Sequence, residues 1–347
     1  MKKFCLLAMW LLACACLLVT ACALGERLTL PINKLFLCDA EIPADVPQTL
    51  PVLEVAHVTI DPEKAIELLM PGMGPREDLP DGDVIVGIGD GEHDYMLIQK
   101  DSGRVRFESE YVNMYLLELI PERGRVTKRY LPTDLALDFM TPEEAIQQAA
   151  GLVRALGIEA AADDAIVYTL ECDSYAAMQD MMRESEWLAR TTRKRALRYL
   201  EPLAEEHEGY CVHLKPVING QPYVVYDNRW EVCVLITRQG IEYVETGFNL
   251  RMTGMGDEKP IVPLEEALEL ASQGSINMEE GALCTIERIS LAYRFDDESQ
   301  TLTPCWIFDY CTDGAGGMEG YTFDHWVSLY GVAVDGHSGK VIDQTIY

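Results

Sequence analysis

Residues 210–347 carry a series of strand-like apolar runs separated by short turns, and this pattern constrains the fold more than any other feature of the chain. The run at 230–236 alternates, and the turn Gln239-Gly240 separates it from the next run. Sequential antiparallel strands joined by short turns fit this arrangement best. The expected strands cover residues 230–236, 241–250, 283–295, 302–310, 326–334 and 340–346.

Helix-start signals occur at three places. Asp61 precedes Pro62, which suits an N-cap followed by the first helical position. Thr141 has Glu144 three residues later, which predicts a capping box, and Gly157 is the expected end of that helix. A third helix is expected at 263–272. Its predicted apolar face, which we expect to pack on one side of an antiparallel sheet, consists of Leu264, Ala267, Leu268 and Ala271.

The chain has 57 acidic against 28 basic residues, a formal net charge of −29. A charge this negative opposes binding to nucleic acid and to anionic lipid headgroups. One basic cluster lies in the longest helical stretch, at 174–207. It is either a contact for lipid headgroups or an acidic partner, or, as we favour, a solvated helix face balanced by glutamates. The cluster consists of Arg190, Arg193, Lys194, Arg195 and Arg198.

The N-terminus has the layout of a secretory signal. Lys2 and Lys3 precede an apolar run at 4–20, which leads into Val19-Thr20-Ala21-Cys22. These four residues resemble a bacterial lipobox, which implies lipid attachment to Cys22 and cleavage after Ala21. The mature chain would then be lipid-anchored on the outside of the cytoplasmic membrane. The alternative is an uncleaved signal anchor, because the run is just long enough to span a bilayer.

Of the 11 cysteines, four lie at or before residue 22, which leaves an odd number in the mature chain. They show no CxxC and no metal-ligand spacing, and several lie in apolar strand-like runs. We therefore expect mostly buried, unbridged thiols that pack as small hydrophobic groups. The seven are Cys38, Cys172, Cys211, Cys233, Cys284, Cys305 and Cys311.

The residues predict no catalytic site, no metal site and no cofactor. An acidic patch could hold a hard cation, but it lacks the ligand ladder of a calcium loop. Residues 336–340 predict a hairpin turn rather than a phosphate loop. His207 is expected on a solvated helix end, and His325 is expected to be partly buried. The acidic patch consists of Asp81, Asp83, Asp90, Glu92 and Asp94, with His93.

Five stretches of the chain show a recognisable order and spacing, at 219–222, 262–268, 286–293, 302–308 and 334–343. Together they resemble the PepSY-like modules of extracytoplasmic regulatory proteins in Gram-positive bacteria, including the Yyc-type regulators of a cell-wall sensor kinase. The whole chain also resembles a group of uncharacterised lipoproteins in which Asp39-Ala40-Glu41-Ile42-Pro43 follows the anchor. This chain departs from the Yyc-type pattern because it has a lipobox rather than a retained membrane helix.

The resemblance and the repeated helix starts predict an α+β fold, made of repeated PepSY-like units of a helix packed on antiparallel strands, with a long central helix. The expected division is a signal peptide at 1–21, a lipid-anchored linker at 22–51, an N-terminal α+β region at 52–157, a helical connector at 158–208 and a C-terminal PepSY-like domain at 209–347.

The expected function is that of a non-enzymatic lipoprotein that binds or regulates another envelope protein or peptide. The candidate contact surface is the face of the C-terminal sheet that the helix at 263–272 leaves uncovered, which would be available to another module or to a partner. The alternative is a solute-binding protein or hydrolase with a site between the two α+β regions.

Overall fold

The computed structural model describes residues 27–32, 36–43, 46–72, 76–87, 93–112, 131–184, 202–224, 232–273, 283–313 and 329–342. Strands dominate these ranges. The strands are β1 (Arg27–Pro31), β2 (Phe36–Glu41), β3 (Thr49–Leu50), β4 (Leu53–His57), β5 (Arg76–Asp78), β6 (Val84–Gly87), β7 (Tyr95–Gln99), β8 (Arg104–Glu108), β9 (Ala160–Leu170), β10 (Gly209–Ile218), β11 (Gln221–Val224), β12 (Val232–Thr237), β13 (Gly240–Thr246), β14 (Leu250–Met255), β15 (Lys259–Pro260), β16 (Leu283–Asp296), β17 (Thr301–Asp313), β18 (Leu329–Asp335) and β19 (Val341–Ile342).

Four α-helices lie in the described ranges: α1 (Pro62–Leu69), α2 (Pro142–Ala155), α3 (Cys172–Glu184) and α4 (Leu264–Gln273). The first two begin as the sequence predicts. The Asp61 side chain accepts a hydrogen bond from the Glu63 N–H, and Thr141 and Glu144 form both bonds of the capping box. Gly157 follows α2 with a φ of 90°, a conformation that favours glycine.

The chain divides into two compact units, and only one of them is continuous in sequence. The continuous unit is Glu54–Gly254, and the discontinuous unit combines Met1–Leu53 with Met255–Tyr347. This division differs from the predicted boundaries. Residues 22–51, expected to be a linker, contain β1 and β2, and residues 158–208, expected to be a helical connector, contain β9.

The continuous unit is built on an antiparallel sheet in the order β5-β6-β7-β8-β13-β12-β10-β9. One face of this sheet packs against α2 through Ala145, Ala149 and Val153 in an aliphatic core. The opposite face carries a second core that includes Tyr168, Tyr175 and Leu235. Strands β10 and β12 therefore bury side chains on both of their faces, which explains their continuous apolar runs.

The discontinuous unit has a mixed sheet in the order β1-β2-β16-β17-β18-β19. The predicted helix at 263–272 is confirmed as α4, and its four predicted apolar residues are all buried. They belong to one core with Trp306 and Phe308 of β17 and Val334 of β18. The Trp306 indole N–H also donates to the Val262 carbonyl oxygen over 2.8 Å, which fixes the segment that leads into α4.

The predicted fold class, repeated PepSY-like α+β units with a long central helix, is wrong, because the structure is mainly a large mixed β-sheet with short helices. The helix starts recur, but the strands around them do not repeat. In the discontinuous unit β2 pairs in parallel with β16, far along the chain, rather than with a sequential neighbour. The predicted central helix covers residues 174–207. In its described part, α3 ends at Glu184, and residues 202–207 contain a 3₁₀ turn at Glu205–His207.

The face of the β16–β18 sheet opposite to α4 was expected to be available to another module or to a partner. On this face, the described side chains of Ala292, Cys305, Ile307 and Ala333 are at most 3% exposed. These four side chains are therefore buried in the folded chain.

Candidate functional site

Two neighbouring strands of the continuous unit bring together three side chains whose sulfur and nitrogen atoms could hold a metal ion. Cys211 and His213 are two residues apart on β10, so both point to the same face of the sheet. Cys233 lies directly opposite His213 on β12. Residues that face each other across an antiparallel pair project on the same side, so the register places all three side chains in one group.

The three side chains, called here the Cys–His cluster, are in close contact. The Sγ atoms of Cys211 and Cys233 are 3.3 Å apart, and the His213 Nε2 lies 3.5 Å from the first sulfur and 3.9 Å from the second. Both cysteines are 0% exposed and the histidine is 1% exposed. Two sulfurs and an imidazole nitrogen form a donor set suited to thiophilic metals, whereas an S–S bond of about 2.05 Å would require the sulfurs to move together.

The surroundings of the Cys–His cluster are aromatic and apolar. The Tyr168 ring stands edge-on to the His213 ring, with centroids 5.6 Å apart and an angle of 86° between the planes. Leu235 and Tyr243 belong to the same core as both cysteines. On the next strand, Glu245 lies opposite Cys233, accepts a hydrogen bond from the Tyr243 hydroxyl and pairs with Arg104 at 3.4 Å. The Glu245 carboxylate beside the Cys–His cluster therefore already has two partners, the Tyr243 hydroxyl and the Arg104 guanidinium.

A second cluster joins His207, Glu242 and Tyr111. The His207 Nδ1 lies 2.8 and 2.9 Å from the two carboxylate oxygens of Glu242, and the imidazole stacks on the Tyr111 ring at 3.4 Å. The side chains of His207 and Glu242 are only 15% and 7% exposed. The expectation that His207 lies on a solvated helix end is therefore wrong, because the short 3₁₀ turn places its ring against β13.

A third group surrounds the partly buried Cys172. The Cys172 N–H donates to Glu208 over 3.1 Å, and the other Glu208 oxygen accepts from Arg238 over 3.2 Å. Burial alone would raise the pKa of Glu208, but the hydrogen bonds from Cys172 and Arg238 outweigh burial and lower it. Burial, followed by the nearby carboxylates, raises the pKa of the Cys172 thiol to about 11. At neutral pH this thiol is protonated, so it is a poor nucleophile.

The described part of the predicted acidic patch supports the backbone. Asp83 accepts a hydrogen bond from the Lys100 N–H over 2.9 Å, and Asp94 accepts one from the Glu110 N–H over 2.9 Å. The predicted hairpin turn at 336–340 is confirmed between β18 and β19, where Asp335 accepts from the N–H groups of His337 and Ser338. These residues thus serve as turn and strand contacts.

Other predicted sites lie outside the described residues. They are the signal peptide at 1–21, the lipid-attachment residue Cys22, the basic cluster at 190–198, Asp90, Glu92 and His325. Within the described ranges, no helix is both long and apolar enough to cross a membrane.

The expectation of unbridged thiols is confirmed for the cysteines whose side chains are described. Cys38, Cys172, Cys211, Cys233 and Cys305 form no disulfide, and all but Cys172 are buried. Sequence reasoning nevertheless missed the Cys–His cluster. The available signal was the Cys-x-His spacing inside a predicted strand, which puts both side chains on one face, but the third ligand depends on the register of β10 and β12.

Comparison with known proteins gives a fold likeness alone. No protein family and no curated protein matches the chain. A crystal structure of an uncharacterized protein from Eubacterium rectale ATCC 33656 is similar, with a TM-score of 0.62 and 15% sequence identity over 93% of this chain and 94% of that one. At this identity the likeness extends to the fold and carries no activity with it.

Proposed function

We propose that this protein is a lipid-anchored lipoprotein, facing the outside of the cytoplasmic membrane, that binds or regulates another envelope protein or peptide without catalysing a reaction. The sequence Val19-Thr20-Ala21-Cys22 supports the anchor. One structural observation carries the proposal further: β1 begins at Arg27, five residues after Cys22.

This short spacing limits how far the folded chain can move from its anchor. Five residues span at most about 17 Å when fully extended. A linker reaching to residue 51 would have allowed about 100 Å by the same geometry. The sheet that contains β1 is therefore held next to the membrane surface, and the partner is a protein or peptide within reach of that surface.

The charge of the chain supports attachment through lipid rather than through the protein surface. A net charge of −29 repels anionic headgroups. A single acyl chain binds a membrane only marginally, whereas a diacylglyceryl group supplies two chains and gives a stable anchor.

The polar groups of the continuous unit support a role in binding rather than in catalysis. Glu208 is held by Arg238, Glu242 by His207 and Glu108 by Arg106, so these buried carboxylates stabilise the fold. The raised pKa of Cys172, about 11, argues against thiol catalysis at that residue.

The anchor is tested by labelling cells with radioactive palmitate. We expect Cys22→Ala to abolish labelling and to leave an unprocessed chain, while Cys16→Ala, a cysteine in the same segment, retains both labelling and processing. Labelled Cys22→Ala protein would overturn the proposed anchor.

The partner is tested by in-cell crosslinking from a photoreactive residue in place of Met252 on β14, whose side chain is 44% exposed. Exposed methionine is an adaptable contact residue. We expect a crosslinked envelope protein that is lost when residues 1–22 are replaced by a cleaved secretory signal, which leaves neither the lipid nor the apolar run to hold the chain at the membrane. A crosslink that persists without the anchor would show that attachment next to the membrane is not needed for binding.

A further inference from the structure

We propose that Cys211, His213 and Cys233 form a zinc(II) site in the core of the continuous unit. The proposal goes beyond the lipoprotein function and does not depend on it. It starts from the distances between the three donor atoms, which are 3.3, 3.5 and 3.9 Å.

These distances match tetrahedral zinc coordination. With Zn–S bonds of about 2.3 Å and Zn–N bonds of about 2.0–2.1 Å, tetrahedral angles place two sulfurs about 3.8 Å apart and a sulfur about 3.6 Å from a nitrogen. Each observed distance lies within about 0.5 Å of its tetrahedral value. Small rotations of the side chains bring all three atoms to bonding distance of one ion, with a fourth position left for another ligand.

The charge balance favours zinc(II) over copper(I). Thiolate sulfur selects both ions, and an imidazole nitrogen suits both. Two thiolates and a neutral imidazole cancel the charge of Zn²⁺, whereas with Cu⁺ they leave one net negative charge. The three side chains are at most 1% exposed, and a net charge at such a depth is strongly unfavourable.

The backbone holds the ligands in place before any ion binds. Strands β10 and β12 lie inside the sheet, where β10 is flanked by β9 and β12, and β12 by β10 and β13. The Tyr168 ring stands against the imidazole and limits its rotation. A preorganised ligand set requires little ordering when the metal binds, which raises affinity.

The test uses the full mature chain, stripped of metal under reducing conditions and then titrated with zinc against a chelating dye. We expect one equivalent of Zn²⁺ to bind, and Cys211→Ala, Cys233→Ala and His213→Ala each to weaken binding at least 100-fold. The matched control is Cys305→Ala, which removes a cysteine that is equally buried at 0% exposure but lies in the other unit. This variant should bind zinc as the unmodified chain does.

Two measurements on the unmodified chain keep the test independent of variants that fail to fold. Zinc at 100 times its Kd should raise the melting temperature by about 5–10 °C. Cobalt(II) in place of zinc should give an intense thiolate-to-cobalt charge-transfer absorption, together with the visible bands of a tetrahedral ion.

Three results would overturn the zinc site. The first is a chain that binds no zinc and whose melting temperature zinc does not change. The second is a Cys211–Cys233 disulfide in the protein as isolated from cells, detected by mass spectrometry of unreduced peptides. The third is one equivalent of copper(I) bound with no binding of zinc, which would assign the same ligands to a different ion.

Discussion

The two faces of the sheet in the continuous unit are made by alternate residues of the same strands, yet their chemistry differs. On β10 and β12, Val212 and Val234 point into a mainly aliphatic core that α2 covers. Their sequence neighbours Cys211 and Cys233 point to the other side, among tyrosines and next to His213. On β10 and β12 these side chains are buried on both faces, so burial alone does not distinguish a packing face from a face with donor groups. The difference lies in which atoms are buried, and it can be tested by substitution.

Substitutions on the helix-covered faces should have the largest effects on the free energy of unfolding. Leu268 in α4 is 3% exposed and lies in the core of the discontinuous unit. Leu268→Asp places a charge without a partner in that core and should lower the free energy of unfolding by about 3 kcal/mol or more. Urea unfolding measures this loss. Glu266→Asp, on the exposed side of the same helix, should change stability by less than about 0.5 kcal/mol.

A matched pair of substitutions on β12 compares the two faces directly. Val234→Ala leaves a cavity in the aliphatic core and should cost about 2–3 kcal/mol whether or not zinc is present. Cys233→Ala should cost only about 1 kcal/mol without zinc, because it removes one small side-chain group. Thermal melts of both variants, with and without zinc, show whether the stability lost on each face depends on zinc. If both variants lose the same amount of stability with and without zinc, both faces act only through packing.

The hydrogen bonds of Glu208 with Cys172 and Arg238 should make the stability of the chain depend on pH. These hydrogen bonds lower the folded-state pKa of Glu208 below the ordinary 4.5. A depressed carboxyl pKa contributes stability above the unfolded pKa, and this contribution is lost as the pH falls through the folded value. Glu208→Gln should cost about 1–3 kcal/mol at neutral pH, from weaker hydrogen bonds to Arg238, and should flatten the loss of stability below about pH 4.5.

Urea unfolding as a function of pH checks this effect, with the exposed Glu206→Gln as control. The control should retain the acid-side loss of the unmodified chain. The prediction fails if Glu208→Gln keeps that loss unchanged.

The exposed strand should show the smallest effect on stability. Met252→Ser, on β14, should change the free energy of unfolding by less than about 0.5 kcal/mol, because its side chain packs little in the folded chain. The same substitution should reduce the yield of crosslinked partner, measured from a photoreactive residue at Arg251. An unchanged yield would place the partner contact elsewhere on the molecule.

Local signals predicted local structure well. The N-caps at Asp61 and Thr141 and the apolar face of α4 depend on residues within a few positions of each other, so one sequence is enough to find them. The turn after Asp335 follows the same logic.

Long-range pairing was beyond these signals. The parallel pair of β2 with β16 and the burial of Ile307 on the face opposite to α4 depend on segments far apart in the chain. The Cys–His cluster lies between these cases. Its Cys-x-His half is visible in the sequence, but its third member requires the register of β10 with β12. The burial of His207 also depends on a distant segment, because its partner Glu242 lies 35 residues further along the chain, on β13.

The position of β1 and β2 has a consequence for the order in which the chain can fold during its synthesis. These strands are synthesised first, but their sheet also needs β16, β17 and β18, which are synthesised last. The continuous unit has all its strands once Gly254 has been added, so it can fold while the rest of the chain is still being synthesised. Until β16 arrives, the edge of β2 that it will occupy has no strand of its own sheet beside it, and such edges pair readily with other chains. The order of synthesis therefore makes the partly synthesised chain the form most exposed to aggregation.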